Sequence, residues 1–211
     1  MTNFIPIFPL GIVAYPGEEL NLHIFEPRYK QLINDCNENK KPFGIPTVID
    51  NKVNEMGTLV EIIEITKQYD SGEMDIKTKG LKVFRVLEIV RSLPEKLYSG
   101  AIVSYPENND RGNRVLMDKV ITGIRQLHEI LKLNKDFKKP EEELWSYDIA
   151  HHAGLSLEQE YELLQLFHEL QREEYLKQHL LKVLPVVTEM ETLKEKIKLN
   201  GHFKNLSGFE M

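Results

Sequence analysis

The chain has 211 residues, 41% hydrophobic and 28% charged, a globular composition that excludes a disordered chain and allows at least one sizeable core. A formal net charge of -6 and a pI near 5.7 repel a phosphate backbone on average, so nucleic acid is not the default partner. The single cysteine, Cys36, excludes an internal disulfide and a thiolate cluster, and no basic leader or long apolar run is evident, so a cytoplasmic protein without a membrane span is expected.

Up to about residue 105 the chain is punctuated by Gly and Pro and alternates with period two, the pattern of half-buried strands. Strands are predicted at Phe4–Ile7, Ile12–Tyr15, 20–24, Phe43–Ile49, Thr58–Thr66, 74–78, Leu81–Val90 and Gly100–Tyr105. Residues 20–24 alternate as Leu20, Leu22 and Ile24 against Asn21 and His23. That many short strands predicts a closed or nearly closed barrel, because closure removes aggregation-prone edges. One short helix interrupts it, opening at Pro27 and running through Tyr29, Leu32 and Ile33.

After residues 1–106, the segment 107–113 is polar and turn-rich and reads as a linker. A helical subdomain is predicted over 114–200, with a tail at 201–211. Leu116, Val120, Ile124, Leu127 and Leu131 share one helical face, and a shorter helix surrounds Leu144, Trp145 and Ile149. Ser156 with Gln159 three residues on forms a capping box opening a helix that carries Leu163, Leu166, Phe167 and Leu170, then Leu176, Leu180 and Leu184, until Pro185. A last helix, with Val186, Met190, Leu193 and Ile197, is predicted to stop at Asn200-Gly201.

The run from Ile7 through Phe8-Pro9-Leu10 to Tyr15-Pro16-Gly17, followed by Leu22-His23-Ile24-Phe25-Glu26-Pro27-Arg28-Tyr29, resembles the opening of the Lon protease N-terminal domain. Gly57 to Ile62, Lys79 to Val86 and Ala101-Ile102-Val103 agree in order, and Leu155 to Leu164 is similar to the helix that closes the family's substrate-binding module. One departure is Lys82-Val83, where an arginine often precedes the phenylalanine, so that arginine's role does not transfer. The resemblance spans roughly residues 5 to 185. It implies an α+β fold, a PUA-like β pseudo-barrel followed by a C-terminal α-helical bundle. It also implies a stand-alone, non-catalytic module that recognises unfolded or exposed segments of client proteins and works with a separate ATPase or protease. It marks Phe25, Glu26, Arg28, Tyr29, Phe84 and Arg85 as motif and candidate binding positions. The alternative is an RNA-binding module, because PUA-like barrels also serve RNA-modifying proteins.

No Gly-Lys dipeptide exists to build a phosphate-cradling loop, and no G-x-S-x-G elbow exposes a serine, so no ATPase or protease activity and no cofactor are expected. His128-Glu129 and His168-Glu169 begin an H-E-x-x-H pattern but meet Lys132 and Arg172, so they read as surface helix residues, and no metal site is expected. His151-His152 reads as helix-end polar contacts, Cys36 as a small buried group, and Lys132 to Lys139 as a solvated loop. A sharper expectation is that Glu26 accepts a charge-assisted bond from Arg85, locking a strand-to-helix corner.

Overall fold

The computed structural model describes the backbone of residues 2–206 and the side chains of residues 3–198. Its strands are β1 (Thr2–Pro6), β2 (Glu19–Ile24), β3 (Phe43–Ile49), β4 (Lys52–Gln68), β5 (Met74–Val90) and β6 (Gly100–Ser104). Its helices are α1 (Pro27–Asn39), α2 (Arg114–Ile130), α3 (Ser146–Ile149), α4 (Leu157–Leu164) and α5 (Glu169–Leu206). The chain forms two compact units, one of Met1–Arg111 with Leu155–Gln171, the other of Gly112–Gly154 with Arg172–Met211. Residues 155–171 thus group with the strands, whereas the division at 107–113 expected them in the helical subdomain.

In the strand-built unit every ladder is antiparallel, in the order β1-β6-β5-β4-β3, with β2 pairing the first half of β5. The segment after β1 closes the ring, because Phe8 and Leu10 donate their amides to the carbonyls of Gly44 and Pro46 and Val48 donates back to Leu10. The ring expected from the sequence, closed or nearly closed, is therefore present at this end, while β2 and the second half of β4 each pair on one side only, with β5. β5 is one strand running through the two expected at 74–78 and Leu81–Val90. Register shifts between β4 and β5 let the long strand bend without ending.

The strand expected at Ile12–Tyr15 does not form. Val13, Ala14 and Tyr15 are all buried in succession, so the segment lacks the alternation of a ladder strand. It is held instead by the Thr58 hydroxyl donating to the Ala14 carbonyl and by the Gly17 amide donating to Gly80. Gly80 is required there: a Cβ at this position would lie 2.0 Å from the Tyr15 carbonyl oxygen.

Helix α1 starts at Pro27 as expected and buries Tyr29, Leu32, Ile33 and Cys36, one face at spacings of three, one and three. That face joins a core of Phe8, Ile24, Phe43, Ile45, Val60, Met74 and Ile76. A second cluster gathers Phe84 with Ile5, Ile7, Leu59, Ala101 and Val103. Helix α4 opens with the expected capping box: Ser156 Oγ accepts from the Gln159 amide and Gln159 Oε1 from the Ser156 amide. It is tied to the strands by Tyr15 donating its hydroxyl to the Glu160 carbonyl and by the Met56 amide donating to the Tyr161 hydroxyl, both at 3.0 Å.

The helix expected from Ser156 to Pro185 is broken at residues 165–168. There the Asn109 amide donates to the Phe167 carbonyl and the Glu169 amide to the Asn109 carbonyl, a bridge that takes the backbone groups a continuous helix would use. Pro185, by contrast, does not end α5. The missing N–H leaves the Leu181 carbonyl without a helical donor, but that residue is exposed and the group can be hydrated, while the Thr188 hydroxyl donates to the Leu184 carbonyl. Nor does the helix stop at Asn200-Gly201, since α5 continues to Leu206; residues 207–211 of the expected tail lie outside the described residues.

In the helical unit α2 is capped by Asn113, whose side chain accepts from the Leu116 amide, and buries Met117, Val120, Ile121, Ile124 and Leu127. Leu176 and Leu180 of α5 are also buried, and Leu180 packs over Gly123 of α2. His128, read as a surface residue, is buried, and Glu169 is buried in the strand-built unit. Beyond Pro185, Val186, Met190, Leu193 and Ile197 of α5 are exposed. No helix among the described residues is long and apolar enough to cross a membrane.

Candidate functional site

The residues singled out in the sequence do not converge on one place. Phe84 is fully buried and is a core residue, packed in the cluster of Ile5 and Val103. Arg85 follows it on the exposed side of β5. The Glu26–Arg85 bond does not form: Glu26 Oε2 accepts from Nε and the terminal guanidinium nitrogen of Arg28, each at 2.8 Å. Two residues apart around Pro27, Glu26 and Arg28 are already within reach, and the resulting pair sits at the surface. Phe25 is 59% exposed, its ring 6.1 Å from that of His23. His23 Nδ1 in turn lies 2.7 Å from Asp75 Oδ1, which also accepts, through Oδ2, the Tyr69 hydroxyl at 2.8 Å.

Arg28 and Tyr29, however, line a cleft of about 620 Å³ in the strand-built unit. Its walls come from chain segments far apart in sequence. Ile7 and Pro9 lie on the closing strip after β1, Asn51, Lys52 and Val53 at the β3–β4 hairpin, and Ile89, Arg91, Leu97 and Ser99 along β5 and the loop beyond it. Tyr29 is only 7% exposed. Its ring stands 4.0 Å from that of Phe8, and the Arg28 guanidinium lies 4.5 Å over it. Burial, the largest influence, raises the Tyr29 hydroxyl above its ordinary pKa, so this side chain is a neutral wall and not a base.

Each wall is held by a local device. The hairpin turns on Asp50 and Asn51, both at positive φ (51° and 60°), which fits a two-residue turn matched to the strand twist and sets Lys52 and Val53 at the rim. The opposite wall is pinned by α1. Gln31 donates to the Glu95 carbonyl and accepts from the Leu97 amide at 2.7 Å, while Asp35 Oδ2 accepts from Lys96 at 2.8 Å and from the Tyr98 hydroxyl at 2.7 Å. Burial alone would raise the Asp35 carboxyl, but the bonds from Lys96 and Tyr98 outweigh it and hold it below its ordinary value. Leu97 consequently presents an apolar side chain, 66% exposed, on a fixed backbone.

These wall residues escaped sequence reading. Lys52, Val53, Arg91 and Leu97 carry no motif, and only the Asp50-Asn51 turn would have placed Lys52 at a hairpin tip. Cys36 lies on the buried face of α1, and burial pushes its thiol up to about 12, which removes it as a nucleophile. In the helical unit His152 faces His128 with ring centres 5.4 Å apart, and Phe137 stands edge-on to it at 5.1 Å. No group of three or more metal-ligating side chains occurs among the described residues. Phe137 is also covered by the Arg125 guanidinium at 4.5 Å, so the Lys132 to Lys139 loop does not hold out a free aromatic face.

A second depression, about 660 Å³, runs along α2 and α5 of the helical unit, lined by Val115, Thr122, Gly123, Leu180, Leu181 and Leu184 among others. It is the more apolar of the two and contains none of the residues marked in the sequence.

Residues 5–182 match the family model described as the ATP-dependent protease La (LON) substrate-binding domain. A crystal structure of a Lon N-terminal domain protein from Xanthomonas campestris is similar at a TM-score of 0.63 and 26% identity, covering 82% of this chain and 96% of that one. The N-terminal domain of the Mycobacterium avium complex Lon protease shares the fold, with a TM-score of 0.60 and 10% identity over 84% of this chain and 98% of that one. With the family model spanning most of its length, the chain belongs to the LON substrate-binding domain family.

Proposed function

We propose that the chain is a non-catalytic recognition module that captures exposed or unfolded segments of other proteins in the cleft of its strand-built unit. The observation that carries this reading is the cleft itself. Arg28 and Tyr29 of the family-like opening meet aliphatic side chains from distant segments in a concavity large enough for several residues of an extended chain. Pinned walls favour such binding because little side-chain and loop freedom is lost when a segment docks. The α2–α5 depression is the weaker candidate, since nothing in it coincides with the marked residues. Unfolding or cleavage of the captured chain is then the work of a separate ATPase or protease.

The test is a titration of the purified full chain against a labelled model protein held unfolded by reduction and alkylation, with the same protein in its folded state as control. The reading predicts saturable binding to the unfolded form alone and no nucleotide hydrolysis or peptide cleavage. Absence of binding at high micromolar concentration, or unaided cleavage of the labelled chain, would contradict it.

A further inference from the structure

The cleft differs in charge from the molecule around it. Its charged lining residues, Arg28, Lys52 and Arg91, are all cationic, on a chain whose formal net charge is -6. Arg28 is already shared with Glu26. Lys52 and Arg91 have no ion-pair partner among the described residues. Both are fixed from the backbone, Lys52 as the first residue of β4 after the Asp50-Asn51 turn and Arg91 as the residue directly following β5. Between and beside them stand Ile7, Pro9, Val53, Ile89 and Leu97.

A uniformly apolar segment would use the aliphatic walls and leave two cations without a partner. A nucleic acid would use the cations and find no stacking platform, because Tyr29, the cleft's only aromatic, is nearly buried with its ring covered by Phe8 and Arg28. An anionic group next to an aliphatic side chain satisfies both parts of the lining. We propose that the cleft selects client segments in which a carboxylate, either the chain's C-terminus or an Asp or Glu side chain, sits beside aliphatic residues. This rests on the client-binding reading above and adds the chemical class of segment preferred.

Exposed charge pairs contribute little each, up to about fivefold in affinity per pair, so the two free cations together should give a preference of roughly tenfold that weakens as salt rises. The experiment measures fluorescence anisotropy of short labelled leucine-containing peptides with the full chain. One peptide ends in a free carboxylate, a second is its C-terminal amide, a third is the amide with Asp beside the leucines, and a fourth has Asn in that place. The expected result is roughly tenfold tighter binding of the carboxylate peptides than of the neutral ones. The first and third peptides tell a terminal carboxylate from a side-chain one.

Lys52→Glu combined with Arg91→Glu should abolish that preference. Lys182→Glu combined with Lys196→Glu, both exposed on α5, changes the net charge by the same amount and should leave the preference intact, which separates the local effect from net charge. Should the double glutamate variant fail to fold, Lys52→Gln with Arg91→Gln and a salt titration of the unaltered protein give the same readout. Equal affinity for all four peptides, with binding to the unfolded protein retained, overturns the carboxylate preference and leaves the recognition module standing. Loss of both kinds of binding overturns both. Tighter binding of a single-stranded RNA oligonucleotide than of any carboxylate peptide, removed by the Lys52 and Arg91 substitutions, would assign the cleft to phosphate and overturn the proposal as well.

Discussion

The two units are ordered by different kinds of contact. In the strand-built unit hairpin ladders between consecutive strands, β3–β4, β4–β5 and β5–β6, are knitted together by pairings between distant segments: β2 lies along β5, β1 along β6, and the strip after β1 closes onto β3. In the helical unit the backbone bonds are local, and the buried side chains fall on single faces of α2 and α5. Long-range pairing brings side chains from many segments to one spot, which is how a cleft with a mixed lining arises. Local pairing yields faces, and α5 accordingly shows an exposed apolar face at Val186, Met190, Leu193 and Ile197.

The largest effect that would sharpen this contrast comes from the centre of the strand-built unit. Phe84 is fully buried against both β1 and β6 residues, so Phe84→Ala should cost about 3–5 kcal/mol in urea unfolding. A smaller loss, about 1 kcal/mol, is expected for Ser156→Ala, which removes one arm of the α4 capping box; differential scanning calorimetry should show it, and a null result would mean water replaces the cap without cost.

Acidification should separate the units. In the helical unit, burial holds His152 and His179 below the ordinary imidazole value of 6.5. The unfolded chain therefore takes up protons first as pH falls through about 6.5, and the stability these residues contribute, complete above that pH, is lost progressively below it. In the strand-built unit, Asp35 is held low by Lys96 and Tyr98 against the opposing effect of burial, and Asp75 by bonds from His23 and Tyr69, from an ordinary value of 3.8. Their contribution persists above about 3.8 and is lost only as pH falls further. Hydrogen exchange corrected for its intrinsic pH dependence should show α2 and α5 losing protection before β4 and β5; the reverse order would break the comparison. The smallest effect is expected at the exposed face, where Leu193→Ser should change stability by no more than about 0.5 kcal/mol.

What could be read from the sequence follows the same divide. Regular elements were legible where local pattern decides them. The alternation of Leu20, Leu22 and Ile24, the Pro27 start of α1, and the Ser156–Gln159 capping box all correspond to observed features. Elements decided by a distant partner were not. Tyr15 gives up its place in a ladder to cross over Gly80, and Asn109 interrupts a helix that its own pattern would continue. Pro185 lacks an N–H and crowds the Leu181 carbonyl, the local signal of a helix stop, yet α5 continues through it at an exposed position where that carbonyl can meet water. Of the site, Arg28 and Tyr29 were visible through their motif, while Lys52, Arg91 and Leu97 become neighbours only when the ring closes.

The most direct test of the account maps where a captured chain lies. Hydrogen exchange of the full protein, alone and saturated with the unfolded model chain, should show slowed exchange at residues 27–30, 51–53 and 89–99, the backbone that carries the cleft. Protection confined to the α2 and α5 segments that line the other depression would move the recognition surface to the helical unit and contradict the central claim.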